Sequence, residues 1–175
     1  MAAAESMTQT DAPKFLCDEM LQRLGRWLRA AGYDTLIAMN AESDYQLLRQ
    51  AIDTGRLLIT RDRGLLEHRR AEGTVICLES ELIEACAEEL GRRININWLY
   101  RPFTRCLNCN TFLIDATPAQ IAALPLKQKE YINAALYCPE CRQVFWEGSH
   151  VHRMRKQLED WSQRYPVIEE LEQPV

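Results

Sequence analysis

The chain has 175 residues, 47% of them apolar, which suffices for a packed core of one domain with a small appendage. Seven glycines, seven prolines and 26% charged residues exclude a collagen-like or low-complexity chain. The net charge of −4 argues against a protein that coats nucleic acid non-specifically, although 17 of the 21 basic residues are Arg, the side chain suited to bidentate carboxylate and phosphate partners.

Residues 1–13 lack periodicity and read as a flexible leader without a basic-then-apolar signal pattern. Lys14 to Cys17 is a short apolar run, read as a strand. Leu21, Leu24 and Leu28 then recur at helical spacing until Gly32 stops the helix. Asp34 to Ala38 is a second strand. Ser43-Asp44-Tyr45-Gln46 has the form of a capping box and opens a helix with Leu47, Leu48, Ala51 and Ile52 inside, ending at Gly55. Leu57 to Thr60 is a third strand, Arg63 to Arg70 a short polar helix, and Thr74 to Leu78 a fourth strand. Ser80 is the expected cap of a helix to about Leu90.

Strands alternating with helices predict an α/β domain with a parallel sheet covered on both faces, assigned to residues 14–101. Residues 102–149 change texture, with paired cysteines, β-like pieces (Thr111 to Ile114, Gln143 to Trp146) and a small helix opened by Thr117 and Pro118. Residues 150–175 read as a helix to about Arg164 and an acidic tail unsuited to packing. No apolar run reaches the roughly 18 residues of a membrane span, so no membrane anchor is expected. The seven cysteines, an odd count without framework-like spacing, favour a cytoplasmic metal protein over a secreted one.

Cys106-x-x-Cys109 and Cys138-x-x-Cys141 have the spacing of two knuckles forming a closed, structural Cys₄ zinc site. The competing reading, a redox motif, calls for a thioredoxin-like strand and helix around one pair, and neither flank supplies them. Cys17, Cys77 and Cys86 sit among apolar neighbours and are expected to be buried thiols, with His150 and His152 surplus to the metal.

Ligands of parallel α/β sheets bind where the strands end. Asp18 follows the first strand, Asp44 opens the helix after the second, and Asp62 follows the third. Such carboxylates suit Mg²⁺ or Mn²⁺, although an Asp at a helix start or strand end also serves as a simple cap. Arg23, Arg26 and Arg29 recur by three opposite the leucine stripe, and Arg61 and Arg63 bracket Asp62. They read either as phosphate contacts or as surface ion pairs.

The run Asp18-Glu19-Met20-Leu21 through Leu24-Gly25-Arg26-Trp27-Leu28-Arg29, with Gly32-Tyr33-Asp34, Asp44, Thr60-Arg61-Asp62, the two knuckles and Gly148-Ser149-His150, resembles the Mut7-C RNase family. The resemblance spans roughly Lys14 to Arg155. It implies a PIN-like nuclease domain with a C-terminal zinc ribbon, and a ribonuclease with Asp18, Asp44 and Asp62 as catalytic metal ligands. A fourth acidic or polar position is expected at Glu79, or more weakly at Thr60 or Glu81. One or two Mg²⁺ or Mn²⁺ ions would activate water and stabilise the scissile phosphate. Arg26 and Arg29, with Arg61 as a weaker third, would position that phosphate. Phe112, Phe145 and Trp146 of the ribbon either stack bases or pack on the knuckles, and Lys127, Lys129, Arg142, Arg153, Arg155 and Lys156 would extend the RNA surface. Two other readings remain at this level. One is a catalytically weak module that binds RNA or a protein; the other is a phosphate-handling enzyme, for which the sequence has no Gly-rich phosphate loop. The RNA substrate, the mode of cleavage, an antitoxin or other protein partner, and the oligomeric state are not encoded in any motif.

Overall fold

A computed structural model describes residues 12–39, 43–125, 132 and 134–167. The expectations for the leader before Ala12, for Lys127 and Lys129, and for the acidic tail from Ile168 lie outside the described residues. The first unit is a four-stranded parallel sheet in the order β2-β1-β3-β4, with β1 Lys14–Cys17, β2 Thr35–Ile37, β3 Arg56–Thr60 and β4 Val75–Cys77. Because strand side chains alternate, Phe15 and Cys17 face one layer and Leu16 the other. Phe15, Cys17 and Ile59 join helices α1 (Gln22–Ala31) and α3 (Ile83–Ile94) in the larger core; Leu16 and Leu58 meet Leu47, Leu48 and Ala51 of α2 (Asp44–Asp53) in a smaller one. Cys17, Cys77 and Cys86 are buried free thiols, and burial pushes the Cys17 thiol up to about 12, so it stays neutral.

The capping box at Ser43 and Gln46 is formed as the sequence predicts, but Ile52, expected inside, is exposed, because the face of α2 that meets the sheet carries Leu47, Leu48 and Ala51. The expected Ser80 cap is corrected. Helix α3 begins at Ile83 after Leu82, because its buried stripe is Ile83, Cys86, Ala87 and Leu90, and Ser80 instead accepts the Cys86 thiol on its carbonyl. The helix continues past Leu90, where Arg92 and Arg93 pair with Glu88 and Glu89 and suit the negative helix terminus. The polar helix expected at Arg63 to Arg70 is a 3-10 turn at Arg63–Glu67.

Gly32 ends α1 with φ 101°, and a Cβ there would lie 2.3 Å from the Arg101 carbonyl oxygen. Only glycine admits this approach. It lets the Arg101 and Phe103 amides donate to the Ala31 and Ala30 carbonyls, which seats the start of the second unit on the end of α1.

That unit is an antiparallel three-stranded sheet in the order β5-β6-β7 (Ile114–Asp115, Ala135–Cys138, Gln143–Trp146), with short helix α4 at Pro118–Ala122 behind a Thr117 capping box. The strand expected at Thr111 to Ile114 is shorter: Phe112 makes one bridge to Arg105, and pairing resumes at Ile114. The last helix, α5 (Ser149–Arg164), inserts Met154, Leu158 and Trp161 into the core of the first unit. Trp161 meets Trp27 and Trp98 with ring centroids 4.9 and 4.8 Å away. The chain thus returns to the domain it left.

Candidate active site

Strand β1 is central, its crossovers leading first to β2 on one side and then to β3 on the other, so the carboxyl ends of β1 and β3 flank a topological switch point. Asp18, Asp44 and Asp62, with Glu19, Met20, Ala38 and Leu47, line a crevice of about 430 Å³ there. Asp18 is buried. Its Oδ1 accepts from the Met20 amide at 3.1 Å and its Oδ2 from the Thr60 hydroxyl at 2.7 Å. The Thr60 oxygen in turn accepts from the Asp62 amide at 2.9 Å, so one buried hydroxyl ties the two strand-end aspartates together. Asp62 Oδ1 accepts from the Gly64 amide at 2.7 Å. A Cβ on Gly64 would lie 3.1 Å from Asp62 Oδ1 and 3.9 Å from Asp44 Oδ2, so both carboxylates turn toward the same backbone.

Glu79 and Glu81 do not line this crevice: Arg63 holds the first at 3.2 Å and Arg61 the second at 2.5 Å. The additional acid in the crevice is Glu19, whose only sequence signal is its place beside Asp18 in the 3-10 turn Glu19–Leu21. Thr60 touches Asp18 and Asp62 directly and acts by positioning them.

Of the three arginines expected on phosphate, Arg26 is exposed on α1, and Arg61 is occupied by Glu81 with its side chain 22% exposed. Arg29 is a correction. It is buried, and its guanidinium donates to the Thr35 carbonyl at 2.8 Å and to the Leu107 and Asn108 carbonyls at 2.9 and 2.8 Å. Burial pulls its pKa below the usual value, while Cys17, Cys106 and Cys109 act in the opposite direction. The last turn of α1 is covered by the first knuckle, so the third arginine of the series faces protein instead of solvent.

The four predicted cysteines converge, with Sγ atoms all within 4.8 Å of one another. Cys106 to Cys141 is 3.9 Å and Cys109 to Cys138 is 3.4 Å. A tetrahedral zinc with bonds of about 2.3 Å separates its sulfurs by about 3.8 Å, so the thiols are spaced to hold such an ion. Both knuckles fold alike: Asn110 and Arg142 donate their amides to the Cys106 and Cys138 carbonyls and adopt φ of 72° and 55°. His150 and His152 are exposed on α5 outside this group. Among the described residues, the cysteines are the side chains already gathered for an ion; the aspartates share a crevice without that convergence.

A polar network joins the knuckle to the sheet. Asn110 accepts from the Thr35 amide at 3.0 Å and donates to Asp34 at 2.7 Å, and Arg56 reaches the same Asp34 oxygen at 2.8 Å. Burial acts to raise the Asp34 pKa, but hydrogen bonds from Arg56 and Asn110 outweigh it and hold the carboxyl below its ordinary value. Its stabilisation is therefore present above the unfolded-state pKa of about 3.9 and is lost as pH falls through the lowered folded value. Asp34→Asn is expected to cost about 1–3 kcal/mol near neutral pH, a deficit that shrinks as both proteins are acidified. Urea unfolding across that range checks this; a deficit constant with pH contradicts it.

A family model described as Mut7-C RNAse domain matches residues 13–158. No curated protein matches the chain.

Proposed function

Since the chain belongs to the Mut7-C RNAse domain family, we propose that it hydrolyses RNA phosphodiester bonds at the Asp18, Asp44 and Asp62 crevice, using Mg²⁺ or Mn²⁺. The observation that carries this reading is that three carboxylates from separate segments of the chain line one crevice at the sheet's switch point. Their hard oxygen donors fit a hard divalent cation. A cation bound there supplies Lewis-acid polarisation of the phosphate and activation of water. Asp44, at the start of α2, and Asp62 offer their carboxylates from one side of the crevice. Asp18 lines the same crevice, its orientation fixed by Thr60 and the Met20 amide. Arg26 is the exposed cation retained for phosphate, with Arg61 available only on release from Glu81.

In this reading the first unit is a PIN-like nuclease domain, the four thiolates hold a structural zinc, and the protein works on RNA in the cytoplasm. No helix of the described residues is long and apolar enough to cross a membrane. The rival reading, an RNA-binding module without cleavage, draws support from Glu79 and Glu81, which ion pairs hold outside the crevice. Purified protein incubated with a labelled single-stranded RNA separates the two. Cleavage that requires added Mg²⁺ or Mn²⁺ supports the nuclease, and intact RNA under both ions contradicts it.

A further inference from the structure

At the end of the sheet opposite the aspartates, Lys14, Asp34, Tyr100, Arg101, Arg105 and Phe112 line a cleft of about 160 Å³. Its volume is below that of a drug-sized pocket, so it suits a single group such as a base or a phosphate. Arg105 donates to the Gly32 and Asn110 carbonyls and lies 3.9 Å from the centre of the Phe112 ring, fixing that ring from one side. The ring is nevertheless 51% exposed, which leaves its other face open to solvent. Beside it, Tyr100 stacks on Tyr33 with centroids 5.1 Å apart, and Arg101 sits over Tyr100 at 5.7 Å.

The charge balance of the cleft favours an anion. Asp34 is its acid, and Arg56 and Asn110 already hold that carboxylate. Arg105 shares the field of Asp34, whereas neither Lys14 nor Arg101 forms an ion pair with a described acid. Unpaired cations beside a rigid, half-exposed aromatic ring are the chemistry that recognises an unstacked base and its flanking phosphates.

We propose that this cleft is a second contact for single-stranded RNA, with a base stacked on the open face of Phe112 and phosphates held by Lys14 and Arg101. The choice of RNA rests on the ribonuclease reading above. The ten residues of α1 separate the cleft from the aspartates, a length of about 15 Å. A strand held at both places therefore runs along the protein instead of ending in the crevice.

The test is fluorescence anisotropy of the full chain with a labelled, unstructured RNA of about 16 nucleotides, without added divalent ions. Phe112→Leu is expected to weaken binding about tenfold, the size of one base–aromatic stack, while Phe112→Trp retains the affinity. Arg101→Glu weakens binding and lowers the salt slope by about one. In cleavage assays Phe112→Leu raises KM and leaves kcat unchanged. Wild-type affinity for Phe112→Leu, at an unchanged melting temperature, overturns the proposal; if that variant also cleaves normally, the ribonuclease reading survives. Weakened binding by Phe112→Leu with a wild-type protein that never cleaves RNA has the opposite consequence: the cleft stands and the ribonuclease reading falls.

Discussion

Asp62→Asn is expected to lower the rate of RNA cleavage in Mg²⁺ or Mn²⁺ by at least about 100-fold while leaving the fold intact. Asp62 is exposed, and the one contact its side chain makes with the described backbone, Oδ1 accepting from the Gly64 amide, is equally open to an asparagine oxygen. The substitution therefore removes a negative charge and a hard ligand without removing a structural hydrogen bond. Loss of one preorganised electrostatic contributor at a reacting centre costs about 10²–10³ in rate. The equivalent change at Asp18 is less clean, because that carboxylate is buried and accepts from Thr60. Asp62→Asn cleaving at the wild-type rate, with an unchanged melting temperature, removes Asp62 from the site.

The second large effect concerns the thiolates. Chelation of the proposed zinc, or Cys138→Ser, is expected to unfold the described parts of the second unit between Pro102 and Gly148 and to lower the stability of the first unit. Apparent zinc-binding free energies of about 10–16 kcal/mol are folding free energy in modules too small to fold without the metal. The damage spreads through identifiable bonds. Arg29 would keep its charge in a buried place yet lose the Leu107 and Asn108 carbonyls, and the Thr35 amide would lose Asn110. Limited proteolysis and circular dichroism before and after chelation measure this. A protease pattern and melting temperature that ignore both the chelator and Cys138→Ser contradict the structural role.

Local signals were readable in the sequence wherever a short stretch decides the outcome. Apolar runs marked the four parallel strands, Ser43 and Gln46 marked a helix start, and the knuckle spacing marked the thiol cluster. The strand-end rule also selected three aspartates that share a crevice. What local reading misses are consequences of docking. The spacing of Arg23, Arg26 and Arg29 describes an outward stripe on an isolated helix, but the knuckle closes over its last turn and captures Arg29. Ser80 has cap chemistry, yet the helix register follows which side chains reach the core. Glu79 has the right distance from a strand for a fourth acid, but Arg63 holds it elsewhere, while Glu19 enters the crevice from the turn beside Asp18. Helix α5 reads as a C-terminal appendage until its Met154, Leu158 and Trp161 are seen inside the first unit's core.

The carboxylate crevice is tested most directly by a crystal structure of the protein soaked in Mn²⁺. Anomalous density bonded to oxygens of Asp18, Asp44 and Asp62, at about 2 Å, is the predicted result. Carboxylates that remain more than about 8 Å apart with no ion between them, at a saturating Mn²⁺ concentration, would contradict it, since bonds of that length cannot bridge such a gap.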